Sequence, residues 1–438
     1  MWRFWHRMFL QERPSLSLGF FRVAVAVTVG AHMLPALLRL DEQFLSTAFM
    51  TQNSSFFPEA VLRWAAAWPD AWIVAFAVLF CLSLAGFTLG LFTQASCLLM
   101  TLCCYAFYAR NTFYIGTLSF DILLVTLFLM CVSAYPGDAL SLDALRRGDA
   151  RAWRRRRPFF LQRLLQLQLA GTYWHTALNK FTAGGNWLTG NPWFNLMRYP
   201  AIGVVRHFPG RAWLAVHPDA CYAIGLGVVT MELTLPVLWF LPRTRRLGIA
   251  LGCLFHLGLW ATLHVPTIFL FLFPPMMLLF VDPEVLVGWI EARQQHHAVA
   301  GRAVLVYDGQ CGVSAGVVRR VLALDLFGWV DPVDVHTQPA LGNLHPWLTP
   351  ERCKSSLVLI EPNGTLAVGL DAMRRVSRHI ASLWPVAPLF HVPGMGWIAR
   401  RLSVWAARHR GWLHRSAACA ANQCAAAAAD ASSEKTSS

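Results

Sequence analysis

The stretch Ala303-Val304-Leu305-Val306-Tyr307-Asp308-Gly309-Gln310-Cys311-Gly312-Val313-Ser314 decides the soluble part of this chain. Four apolar residues lead into an Asp-Gly turn. A helical pattern follows, with Val317, Val318, Val321, Leu322 and Leu324 on one face and Arg319, Arg320 and Asp325 on the other. That order predicts a strand, a tight turn, then a cysteine at or near a helix N-terminus. A thiol there feels the partial positive charge of unpaired backbone N–H groups, so its thiolate is stabilised and becomes a nucleophile near neutral pH. A buried structural cysteine after a core strand is the competing reading, and the residues alone leave the two open.

Working outward, the chain is 56% hydrophobic and 14% charged with a mean hydropathy of +0.45, too apolar for an ordinary soluble protein. The apolar residues crowd between Gly19 and Val281, and after Glu291 the composition turns soluble. The net charge of +14 comes from arginines at the ends of apolar segments. Membrane topology explains that placement, and no nucleic-acid partner is expected. Of the eleven cysteines, Cys81, Cys97, Cys103, Cys104, Cys131 and Cys253 lie inside apolar segments as small hydrophobes, not as a disulfide framework.

The first apolar run, about Leu18 to Leu38, has no cleavage site after it and reads as a retained signal anchor. Further candidate spans are Ala71 to Phe92, Ala95 to Ala109, Thr117 to Tyr135, Phe160 to Phe181, Ala220 to Leu241, Leu247 to Leu263 and Val265 to Val281. About eight spans result, each needing ~20 apolar residues. With the N-terminus in the cytoplasm, Arg146, Arg147, Arg151, the run Arg154 to Arg157, and Arg243, Arg245 and Arg246 all fall inside. The run is then a topology signal and a contact for anionic lipid. An even count returns the chain to the cytoplasm, so Cys311 faces a reducing compartment. The expected location is the cell (inner) membrane, multi-pass, with both the N-terminus and the C-terminal domain cytoplasmic.

Polar residues inside spans are costly and informative. The sequence offers Asp121, then Gln162, Gln166, Gln168, His175 and Lys180 along one span, and later Glu232, His256 and His264. Gln168, Thr172, His175 and Asn179 recur at helical spacing, predicting a polar stripe toward the bundle interior. Helix glue and a functional cavity both fit such a stripe. Lys180 points to function, or else snorkels to the interface.

Gln168-Leu169-Ala170-Gly171-Thr172-Tyr173-Trp174-His175-Thr176-Ala177-Leu178-Asn179-Lys180-Phe181, followed by Trp187-Leu188-Thr189-Gly190, resembles the horizontally transferred transmembrane (HTTM) domain. That family is related to the vitamin K-dependent gamma-carboxylase, and the resemblance covers roughly Leu16 to Val281. It implies that Lys180 stands at the carboxylase's catalytic base, which works in vitamin K epoxidation. The pattern departs at Arg110-Asn111-Thr112-Phe113-Tyr114, where the carboxylase has a functional histidine, and in lacking a propeptide-binding domain.

Residues 284–301 read as a linker, with His296-His297 solvated and no metal site expected. From Arg302 a second strand follows near Trp329 to His336, then a hairpin around Pro362-Asn363-Gly364, a helix from Asp371 to Leu383 and another from Gly396 to His409. That order predicts a thioredoxin-like α/β unit. The tail from Ser416 has a disordered composition. The expected architecture is a polytopic α-helical membrane bundle over 1–283, a linker, a thioredoxin-like domain over 302–415 and a tail over 416–438.

Val306-Tyr307-Asp308-Gly309, Cys311, Arg319, Asp325, Leu357-Val358-Leu359, Pro362-Asn363-Gly364, Gly369, Asp371-Ala372, Pro393-Gly394 and Trp405 to Arg410 resemble the DCC family of thiol–disulfide oxidoreductases. The resemblance implies an Asp-x-x-Cys-x-x-Cys site, in which the second thiol resolves the mixed disulfide made by the first. Here that second position is Ser314. The site then reads as monothiol, with Cys311 as nucleophile, Asp308 shaping the turn and relaying a proton, and Ser314 able to donate a hydrogen bond to the thiolate. Cys353, Cys419 and Cys424 are candidate substitute resolving thiols.

Three functions follow as expectations. The first is membrane-anchored thiol–disulfide exchange (protein-disulfide reductase-like) with a thiol or disulfide redox partner, glutathione being a candidate. The second is a membrane-embedded carboxylase- or epoxidase-like enzyme using Lys180 on a quinone-like lipid, with the thiol domain as electron donor. The third is a non-catalytic binding or assembly module.

Overall fold

The computed structural model describes residues 2–401, apart from 51–56, 113–117, 148, 150–151, 183–186, 200–207, 265–266, 338–343, 385–386 and 399–400. The expected tail, Cys419, Cys424, Trp405 to Arg410 and most of the expected last helix lie outside the described residues. Two compact units are present: Met1–Asp143 with Trp153–Leu286, and Ala144–Ala152 with Val287–Ser438.

In the first unit, eight longer helices among the described residues stand where apolar runs were expected: α1 Leu16–Leu37, α2 Asp70–Leu89, α3 Thr93–Arg110, α4 Leu118–Cys131, α5 Phe160–Thr182, α6 Pro218–Phe240, α7 Arg245–Thr262 and α8 Thr267–Leu278. Among the described residues, α1, α2 and α6 alone are long and apolar enough to cross a bilayer. A fourth span arises if Phe271–Leu278 and Pro283–Ala300, bent by 83°, count as one. Length and composition thus support three or four spans where about eight were expected. The described parts of α4 and α8 have 14 and 12 residues against the ~20 a bilayer needs, and α5 carries Gln162, Arg163, Gln166 and Gln168. One apolar core nevertheless draws on every helix, from Phe21 of α1 and Phe80 of α2 through Phe107, Leu124 and Leu165 to Trp239, Phe255 and Phe273.

Several arginines serve that core's ends. Arg22 is fully buried and donates to the carbonyls of Pro136 (3.0 Å) and Leu140. Arg110 is also buried and binds the carbonyls of Phe44 (2.9 Å), Ala65 (3.0 Å) and Trp68 (3.2 Å). It closes helix ends instead of marking an exposed loop. Glu12–Pro14 (β1) pairs antiparallel with Arg156–Pro158 (β2). Arg155 and Arg157 both bind Asp138, at 3.2 and 2.7 Å, and Arg156 binds Glu284 at 2.7 Å. These arginines therefore spend their charge on carboxylates of the chain.

The polar stripe of α5 divides. Gln162 and Gln166 both donate to the Leu279 carbonyl (2.6 and 2.7 Å), and Gln168 donates to the Ile122 carbonyl (2.9 Å). His175 and Asn179 instead bond each other at 2.9 Å on an exposed face, so the expectation of an inward stripe fails for that half.

In the second unit the expected linker is a continuous helix, α9 Pro283–Ala300. Trp289 meets Phe327 edge-on at 5.5 Å, Gln294 donates to the Leu326 carbonyl at 2.9 Å, and His297 lies 3.7 Å from the Trp329 ring. His297 is buried by that contact, not solvated; His296 is exposed.

A four-stranded sheet follows, β3 Ala303–Tyr307, β4 Val330–Asp334, β5 Val358–Ile360 and β6 Leu366–Val368, in the order β4-β3-β5-β6. β3 and β4 are parallel, and β5 and β6 run antiparallel to their neighbours. This mixed sheet is consistent with a thioredoxin-like fold. Alternation sorts its side chains. Leu305, Leu359 and Ala367 meet Val318 and Val321 of α10 Gly312–Leu324 and Val376 of α12 Leu370–His379. Val306, Val358 and Ile360 meet Cys353 of α11 Pro350–Ser355 on the opposite face.

Candidate functional site

The parallel pairing of β3 and β4 brings both C-terminal ends to one edge, where Tyr307 is opposite Asp334. Just past that edge the chain turns. The Gly309 N–H donates to Asp334 Oδ1 at 2.9 Å, and a Cβ on Gly309 would lie 2.1 Å from Asp334 Oδ2. Only glycine lets the two segments approach this closely. Gly309→Ala is expected to destabilise the domain by about 1–3 kcal/mol, because the overlap is with a carboxylate already bonded to backbone. Thermal unfolding of the full chain in detergent checks this; an unchanged transition would refute it.

Asp308 is buried. Its Oδ1 accepts from the Gln310 N–H at 3.0 Å and lies 2.9 Å from His336 Nε2. Its carbonyl accepts from the Cys311 N–H at 3.1 Å. Cys311 is the N-cap of α10, in extended conformation, and its carbonyl takes the Ala315 N–H at 2.9 Å. The half-buried Cys311 is thus positioned at the positive end of a 13-residue helix. Asp308 ties its turn to His336 on one side and to the cysteine backbone on the other.

Sequence reading missed His336 and Asp334. The signal was present: in a parallel strand pair, residues just beyond both C-terminal ends converge, and Asp334-Val335-His336 occupies that position on the second strand.

In the first unit, Lys180 Nζ lies 2.7 and 2.8 Å from the two Glu232 oxygens, with the side chains 11% and 8% exposed. The ammonium is also 5.2 Å from the Trp187 ring. Glu232 lines a cavity of about 80 Å3 with Thr172, Tyr173, His256, Phe273 and Met276. The Tyr173 hydroxyl bonds His256 Nε2, and that imidazole stacks on Phe273 at 4.1 Å. Two residues that looked unrelated in sequence, Lys180 and Glu232, are therefore one ion pair at the wall of a mostly apolar cavity.

Residues 11–284 match the HTTM domain family, well over half of the chain. The chain belongs to the HTTM family. Residues 305–416 match the family described as DCC1-like thiol-disulfide oxidoreductase, so the HTTM domain is followed by a DCC1-like domain. No curated protein and no solved structure matches the chain.

Within the DCC1-like domain, Ser314 occupies the first turn of α10, and among the described residues no hydrogen bond joins its hydroxyl to Cys311. Cys353 is buried elsewhere in the domain. It is 1% exposed, packed with Val306 and Val335 on the sheet face opposite α10, and burial pushes its thiol up. Mass-spectrometric mapping after brief alkylation of the native HTTM–DCC1-like protein should find Cys311 modified and Cys353 protected. Modification of Cys353 at the same rate would contradict its placement.

Proposed function

We propose that this chain is a multi-pass membrane protein whose C-terminal domain performs monothiol exchange through Cys311. The observation that carries this is the Cys311 N-cap fixed by the Asp308–His336 pair, with a serine where a resolving thiol would stand. In this reading the Cys311 thiolate attacks a substrate disulfide R–S–S–R′. A Cys311–S–S–R bond forms, the R–S–S–R′ bond breaks, and R′S⁻ leaves and takes up the proton given up by Cys311. A second, external thiol of the glutathione class then attacks the mixed disulfide and releases Cys311. Asp308 is a positioning residue that holds the turn, and His336 holds Asp308.

The same reading takes all eight helices across the inner membrane, supported by the single core they share, with the short ones sheltered by their neighbours. It sets both the N-terminus and the DCC1-like domain in the cytoplasm, where thiols stay reduced. The helix α9 joins the two domains as a structured connector over 284–301.

A second reading is favoured by the cavity in the HTTM domain. Its apolar wall with the Tyr173–His256 and Lys180–Glu232 pairs suits a quinone-like lipid headgroup, whose reduction to the quinol takes two electrons and two protons from two thiols, Cys311 and an external thiol of the glutathione class, which end as a mixed disulfide. Lys180 acts as a base there only after passing its proton to Glu232.

Ser314→Cys separates monothiol from dithiol chemistry. The variant is expected to oxidise internally with loss of two hydrogens by intact mass, and to stop accumulating mixed disulfide. If the parent protein already shows that mass loss at Cys311, the monothiol reading fails.

A further inference from the structure

Beyond thiol chemistry, the first unit carries an exposed segment rich in aromatic and basic residues, Trp2–Leu10. Trp2–Trp5 is a short helix that widens into one further helical turn, His6–Leu10. The segment is held where α5 begins: Arg163 Nε donates to the Met8 carbonyl at 3.3 Å, and the Phe159 N–H to the Gln11 carbonyl at 3.1 Å. Yet its large side chains point away from the bundle, with Trp2, Phe4 and Trp5 exposed at 73%, 62% and 50%.

Three adjacent exposed aromatic rings beside the start of a membrane domain are the composition of a bilayer interface. The charge tells the same story. No acidic residue occurs between Trp2 and Leu10. Arg13, Arg155, Arg156 and Arg157 are each paired with a carboxylate of the chain, whereas Arg3 and Arg7 form no ion pair among the described residues. Arg3, His6 and Arg7 surround, with Trp2, an open recess of about 290 Å3.

We propose that Trp2–Leu10 is an interfacial anchor whose recess gathers the phosphate headgroup of an anionic phospholipid, with Arg3 and Arg7 as the ligating cations. Exposed indole rings beside uncompensated guanidinium groups match a headgroup with an acyl chain attached. A water-soluble anion would account for the arginines and leave the aromatics unexplained.

The test uses the full chain in nanodiscs of equal phosphatidylglycerol and phosphatidylcholine, with photoreactive p-benzoylphenylalanine in place of Trp2. Illumination should give phospholipid adducts enriched severalfold in phosphatidylglycerol. The double variant Arg3→Gln/Arg7→Gln should still yield lipid adducts, but in the proportions of the bilayer. Its elution on size exclusion should match the parent, since both arginines are exposed. No phospholipid adduct, equal capture of the two lipids by the parent, or an enrichment that survives the double substitution would each overturn the proposal.

Discussion

Cys311→Ser is expected to lower disulfide exchange by the DCC1-like domain at least about 10³-fold, the scale on which removal of a nucleophile acts. The same substitution should leave the fold intact. Cys311 is half-buried and caps α10 through its backbone, and its side chain makes no capping hydrogen bond. Serine is a better N-cap than cysteine, because its hydroxyl can accept from the open N–H groups of the first turn. The variant should therefore unfold at an equal or higher temperature while losing exchange with a small aromatic disulfide reporter. That split separates a catalytic thiol from a structural one. A structural thiol would lose stability and activity together, and an inactive module would show no exchange to lose.

The second large effect belongs to the HTTM domain. Lys180→Ala removes one partner of an ion pair whose members are almost fully buried, leaving the Glu232 carboxylate beside an apolar cavity. Breaking such a pair costs about 3–5 kcal/mol, most of it the desolvation of the charge left behind. Thermal unfolding in detergent should show a marked drop for Lys180→Ala and recovery of much of it in Lys180→Met/Glu232→Leu, which removes both charges. A single variant as stable as the parent would mean that the pair does not form. The pairing also bears on the lipid-reduction reading. Loss of activity in Lys180→Ala alone would report collapse of the cavity wall as readily as loss of a base. The double variant, if folded and inactive, isolates the chemical role.

The soluble fold was legible because its signals are local. Val304-Leu305-Val306 before Asp308-Gly309, and the Pro362-Asn363-Gly364 hairpin, each fix their own geometry, and the alternation of β3 and β5 sorts Leu305 and Leu359 from Val306 and Val358. What was not legible depends on contacts between distant residues. His336 reaches Asp308 only once β4 lies beside β3. Glu232 reaches Lys180 across 52 positions of chain. Arg110 read as a loop charge because nothing local shows that carbonyls from two distant stretches, Phe44 and Ala65 to Trp68, converge on it. The packing of the connector was not legible for another reason. Trp289, Gln294 and His297 lie on a helix with no strong apolar stripe, and what makes it order is the 326–329 loop it packs on. Length and composition mark three or four spans among the described residues, because hydropathy shows where apolar helices lie and crossing also needs length.

The most direct test of monothiol exchange is to treat the full-length protein with oxidised glutathione and map adducts by peptide mass spectrometry. The account predicts a glutathionyl group on Cys311, removed by reduced glutathione, with Cys353 unmodified and no disulfide joining Cys311 to another cysteine of the chain. A Cys311 that stays free under those conditions, or that is found bonded to a second cysteine of the chain, would contradict it.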